Sequence, residues 1–168
     1  SHTREGYVMK DARFVTIELM DVAGLVPGAH EGKGLGNKFL DDLRQADALI
    51  HVIDLSGATN EKGEPIELNT YDPANDIRFL EEELDHWYYN ILKRNWENID
   101  KKIRMQGRKP EEAFADVLSG LKISENLILE ALRTLDLEPK ELGEKLFDLA
   151  RTLRELSKPM IIAANKCD

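Results

Sequence analysis

Between Pro73 and about Gln106 the apolar residues Ile77, Leu80, Leu84, Trp87 and Ile91, then Trp96, Ile99 and Ile103 after a phase slip, recur with the spacing of one helix face. At 1.5 Å per residue this helix is about 50 Å long, far more than a crossover in a small sheet needs. Gly107 and Pro110 stop it. Two short helices follow, over residues 111–118 and 125–135, the second opened by Ser124 as an N-cap. Pro139 starts a last helix, whose Leu142, Leu146, Leu149, Leu153 and Leu156 keep a 4-3-4-3 spacing, the seam of helices packed along their length. Residues 73–157 therefore read as an antiparallel helical arm.

Three short apolar runs frame that arm, and they have the other period. Residues 14–20 (FVTIELM) alternate partly and are rich in β-branched side chains, as a half-buried strand is, with Tyr7, Val8 and Met9 as a hairpin partner. Residues 48–54 (ALIHVID) and 160–164 (MIIAA) are nearly continuous, as strands covered on both faces are. A Gly-rich loop from Gly24 to Gly36 and a short helix over 37–46 join the first two, giving a compact βαβ unit. The expected fold is α/β, with a partial sheet made by residues 1–72 and 158–168 and the arm inserted at 73–157. Each run ends at or near an Asp or Asn that opens a polar loop. In open α/β sheets ligands bind beyond these carboxyl ends.

A chain of 168 residues holds one domain with an excursion. No apolar run approaches the roughly 20 residues that span a bilayer, and the N-terminus lacks a signal-peptide pattern. The lone Cys167 forms no internal disulfide and fits a reducing compartment, so the expectation is a cytoplasmic protein without membrane partners. The net charge of −9 argues against a surface made wholly for nucleic acid, but the average hides an asymmetry. From Glu64 to Asp85 eight acids face one Arg, whereas residues 93–109 carry seven bases against Glu97 and Asp100. The basic stretch falls where the long helix turns back. It reads either as a solvated helix face or as a contact for phosphate.

Two motifs carry chemistry. Asp21-Val22-Ala23-Gly24 follows the first predicted strand, where a carboxylate can hold Mg²⁺ through water and a glycine lets a backbone N–H approach a phosphate. A strand-ending Asp before a turn Gly is the plainer reading. Asn165-Lys166-Cys167-Asp168 follows the last strand. Its Asp can accept two hydrogens from the N1–H and N2–H₂ edge of guanine, its Lys stem can lie across the base, and its Asn amide can tie neighbouring loops. Adenine offers no such donor pair.

In this order on one sheet, the two motifs are those of a GTP-binding domain. The stretch from Asp21 through Gly24, Gly28, His30, Gly32 and Gly34 to Leu40 closely resembles the second switch region of the Obg-like P-loop GTPases, particularly the YchF-type branch, which carries a coiled-coil insertion in its G domain. The resemblance covers nearly the whole chain. It implies a Rossmann-like P-loop NTPase sheet with an inserted coiled-coil arm, GTP or GDP bound with Mg²⁺ at Asp21, Gly24, Asn165, Lys166 and Asp168, slow hydrolysis, and association with ribosomes. Many YchF-type proteins replace Asn-Lys-x-Asp with a variant suited to ATP; Asp168 favours GTP here. No Gly-x-x-x-x-Gly-Lys-[Ser/Thr] is present, so the chain looks like the middle of a longer protein, inactive alone. Leu25 stands where many GTPases place a water-orienting Gln, which leaves His30 as the nearest titratable group for that task and makes hydrolysis slow. Lys101, Lys102 and Arg104 at the arm tip are the expected RNA contacts. The competing reading is a non-catalytic α/β module whose arm binds a protein partner.

Overall fold

The computed structural model describes residues 8–9, 12–13, 16–22, 36–60 and 63–167. Strand β1 (Val8–Met9) pairs antiparallel with β2 (Ala12–Arg13). After helix α1 (Gly36–Gln45) comes β3 (Leu49–Asp54), then α2 (Ala74–Gln106), α3 (Pro110–Leu118), a 3₁₀ turn (Ser119–Leu121), α4 (Glu125–Thr134), α5 (Leu146–Ser157) and β4 (Met160–Asn165). Strands β3 and β4 are parallel neighbours in strict register, Leu49 beside Met160 through Asp54 beside Asn165. The whole of α2–α5 is thus an excursion between two paired strands.

The long helix forms as its period predicts, and Gly107 ends it at φ 66°, donating its N–H to the Lys102 carbonyl. Its buried stripe is Leu84, Trp87, Tyr88, Leu92 and Ile99, so Tyr88 and Leu92 occupy the core where the repeat had pointed to Ile91. Ser124 caps α4 as expected, its hydroxyl accepting from Leu127 N. The last helix differs. Residues 139–145 are turns, and helix begins only at Leu146. Gly143 packs against the Trp96 indole so closely that a Cβ there would lie 3.0 Å from the ring, and in the turns before α5 Glu144 N and Lys145 N both donate to Glu141 O. Helix α2 is covered by α5 along one part of its length and by α3 along another, with α4 bridging α3 and α5. The arm is a four-helix packing around one core.

Two expectations about the sheet are corrected. Residues 16–20 form no strand; Ile17 and Leu19 are exposed, and the partner of Val8–Met9 is Ala12–Arg13. Alternation makes a strand only where a ladder partner exists, and none lies beside 16–20 among the described residues. Strands β3 and β4 were expected to be covered on both faces, yet Ile50, Val52 and Ile161 lie open on one face among the described residues.

The arm root is tied by polar bonds inside the core. Asp85 of α2, buried, accepts from Arg154 Nε at 2.8 Å and from Arg151 Nε at 3.0 Å, both on α5. One turn on, the buried Tyr88 hydroxyl lies 2.9 Å from Ser157 Oγ. Helix α1 docks on the same core through Phe39 and Leu43. Its C-terminal carbonyls meet two cations: Lys122 Nζ donates to Gln45 O at 2.9 Å, and the buried Lys158 donates to Ala46 O. Cations at a helix C-terminus offset the partial negative charge of its last carbonyls.

Removing one member of a buried ion pair leaves the other charged and desolvated, at a cost of about 3–5 kcal/mol. Asp85→Ala is expected to lower the unfolding free energy by that order in urea titration, and Asp85→Leu with Arg154→Met to recover most of it. A loss under about 1 kcal/mol for the single change would contradict a buried, energetically coupled root.

Candidate functional site

The register of β3 and β4 brings two sequence-distant polar ends together. Beyond Asp54 and Asn165 the ladder continues one step, Leu55 N donating to Asn165 O at 3.0 Å. The chain then turns at Lys166 with φ 55°, a left-handed conformation uncommon for a residue with a side chain. From there Lys166 Nζ reaches back across the strand pair to Asp54 Oδ2 at 2.8 Å. Asp54 Oδ1 accepts from Ser56 N at 3.0 Å and from Ser56 Oγ at 2.5 Å, and Oδ2 accepts from Thr59 Oγ1 at 3.1 Å. The Lys166 ammonium and then the Ser56 hydroxyl are the main groups that hold the Asp54 carboxyl well below the ordinary carboxylate range. Asn165, Lys166 and Cys167 are exposed, so this end of the sheet presents an ordered, accessible polar rim.

Of the residues singled out in the sequence, Asn165 and Lys166 lie on that rim, and Asp21 is exposed at the end of the irregular stretch 16–22. Gly24, Leu25, His30 and Asp168 lie outside the described residues. Asp54, Ser56 and Thr59 were not singled out, although the Asp that ends an apolar run was the visible signal. His51, in mid-strand, is half-buried, and its Nδ1 has no hydrogen-bond partner among the described residues. Burial pulls its imidazole pKa down, against the opposing pull of Asp76 and Glu81. His86 packs its ring on Phe147, 5.1 Å between centroids.

The basic tip is less bare than its sequence. Helix α3 packs beside the end of α2 and adds Glu111, Glu112 and Asp116 to the neighbourhood. Asp116 accepts from Lys102 and from Arg108, each at 2.6 Å, and Arg104 pairs with Asp100 at 2.6 Å. The two cations hold the Asp116 carboxyl below its usual range. Lys101, by contrast, is exposed, as are Lys93, Arg94 and Lys109. At the root, Glu83 and Asp85 are buried and Asp85 is paired, so fewer of the acids counted from Glu64 to Asp85 face solvent.

Residues 2–95 match the family model described as 50S ribosome-binding GTPase. The chain belongs to this GTPase family. An uncharacterized GTP-binding protein of Methanocaldococcus jannaschii is 53% identical over 157 residues, 93% of this chain and 39% of that protein. A ribosome-binding ATPase YchF of Mycoplasma genitalium is 30% identical over 159 residues, 90% of this chain and 39% of that one. The crystal structure of a GTP-binding protein from Pyrococcus horikoshii matches 98% of this chain and 44% of that chain with a TM-score of 0.80 at 37% identity. The chain thus spans about two-fifths of the length of these GTPase-family relatives.

Proposed function

We propose that the full-length protein binds GTP with Mg²⁺, hydrolyses it slowly, and meets the ribosome through the tip of its arm, with Asn165, Lys166 and Asp168 reading guanine. The observation that carries this is the exposed rim at the carboxyl ends of two parallel strands, with Lys166 fixed across it, at the edge where α/β sheets bind ligands. Relatives named as GTP-binding proteins support the nucleotide, and those named ribosome-binding ATPases support the partner. The Asn-Lys-x-Asp sequence favours guanine over adenine, because only guanine offers the donor pair that the Asp168 carboxylate can accept.

Mg²⁺ fits as a cation held mainly by phosphate and water. Asp21 supplies one exposed carboxylate, a hard oxygen donor, and the described residues contain no cluster of three or more His, Cys, Asp or Glu that could form a protein cage. Bound with the nucleotide, the ion would neutralise phosphate charge. The Asp21 carboxylate would orient its water shell, and Gly24 would let a backbone N–H approach the terminal phosphate. Leu25 can neither donate nor accept a hydrogen bond, so orientation of the attacking water falls to His30.

The arm tip serves the second half of the reading. Exposed Lys101 and its basic neighbours would meet RNA phosphates with little sequence preference. Lys102 and Arg104 would do so by sharing or leaving Asp116 and Asp100.

Asp168→Ala in the full-length protein is expected to weaken GTP by about 10- to 150-fold, the value of a charge-assisted bond to a buried base edge, about 1.5–3 kcal/mol. Competition binding in which the unmutated protein prefers ATP would contradict the guanine assignment. His30→Ala should lower kcat far more than it weakens GTP binding, and an unchanged kcat in single-turnover hydrolysis would remove His30 from the reaction. Reversing Lys101, Lys102 and Arg104 to Glu should reduce co-sedimentation with ribosomes while GTP affinity holds, and Asp116→Asn, which removes the charged partner of Lys102 and leaves Arg108 only Glu112, should increase it. Equal co-sedimentation of all three proteins at low and moderate salt would return the tip to a solvated helix face.

A further inference from the structure

The ion pair between Asp54 and Lys166 joins side chains 112 residues apart. Its two members differ in a telling way: the Asp54 side chain is 13% exposed, that of Lys166 55%. The carboxylate is therefore inside the turn and the lysine stem outside it. Three further donors converge on Asp54 from Ser56 and Thr59, so the anchor is set by residues 54–59 independently of the lysine. Because those bonds and the ammonium keep the carboxyl ionised, the anchor is charged throughout the neutral range. Lys166 is also held from its own backbone, where φ is 55°. Such a conformation persists where the surroundings over-determine it, and here they include the ladder bond from Leu55 N to Asn165 O.

A lysine on an exposed rim loses much rotamer freedom when it must lie against a ligand. With its ammonium already fastened, four methylenes are stretched between the backbone at 166 and the anchor at 54, and that cost has been met before the ligand arrives. We propose that Asp54 is a positioning residue for the nucleotide base: it pins the Lys166 ammonium so that the lysine stem stands ready as an apolar rest for the face of a purine. This deepens the reading of Asn165, Lys166 and Asp168 as the base site, and rests on it. Asp54 touches no nucleotide and acts only through Lys166. The turn that follows β3, whose sequence contains none of the recognised nucleotide motifs, thereby becomes part of base binding.

A purely structural Asp54, serving only to brace the turn through Ser56 and Thr59, would affect binding whatever stands at 166. A double-mutant cycle separates the two. Release of mant-GDP from the full-length protein is followed by stopped-flow for the unmutated chain, Asp54→Asn, Lys166→Met and the double variant. Asp54→Asn can still accept from Ser56 and so keeps the turn. It should speed release by roughly threefold to tenfold, as loss of a half-exposed charged pair allows, and should add nothing once Lys166 is Met. Asp54→Glu, which keeps the charge, should return release toward the unmutated rate. The same factor in both backgrounds, or no change with Lys166 in place, overturns the proposal. If the unmutated protein holds mant-ADP more tightly than mant-GDP, the guanine reading fails by itself, and the same cycle, run on mant-ADP, still decides the role of Asp54.

Discussion

Two parallel strands cannot be joined by a tight turn, and here the connection between β3 and β4 runs through about a hundred residues, most of them helical, before returning to the neighbouring position. The fold depends on that return. A strand partner must arrive within about 5 Å and in register, since a slip of one residue would turn every side chain of β4 to the other face. The arm root supplies the closure. Asp85 with Arg154 and Arg151, and Tyr88 with Ser157, bind the outgoing helix to the incoming one just before β4, and Lys158 then bonds to the end of α1. The buried bonds in the arm thus serve the sheet as much as the helices.

What the sheet gains is a rim. Because Asp54 and Asn165 are register partners, Lys166 is within reach of Asp54, and a polar site forms from segments that share no sequence neighbourhood. Helix α1, which follows the Gly-rich loop in sequence, docks on the arm core through Phe39 and Leu43 and on Lys122, the residue after the 3₁₀ turn. Helix α1 and the arm are therefore packed on one core.

Much of this was legible in the sequence, for reasons that differ by element. The helices α1, α2, α3 and α4 lie within a residue or two of their predicted bounds because period, caps and breakers are local signals. The start of α5 was not legible, since the leucine spacing runs on through Leu142 into residues that fold as turns. Residues 14–20 have strand chemistry, but no ladder partner lies beside 16–20 among the described residues. Asn165 and Lys166 could be found because their motif is contiguous; Asp54 could not be tied to Lys166, because only the register of β4 makes them neighbours. The pairing of Asp85 was hidden because only the packing of α2 on α5 brings Arg154 to it; in the sequence it is one acid in a run that reads as solvated surface.

The most direct measurement is a crystal structure of the full-length protein bound to GDP. The base should lie beyond the carboxyl ends of β3 and β4, with Asp168 on its N1 and N2 edge and the Lys166 stem along its face while the ammonium stays on Asp54. A base seated away from that rim, or one in place with Asp168 turned from it, would contradict the assignment of this site to guanine.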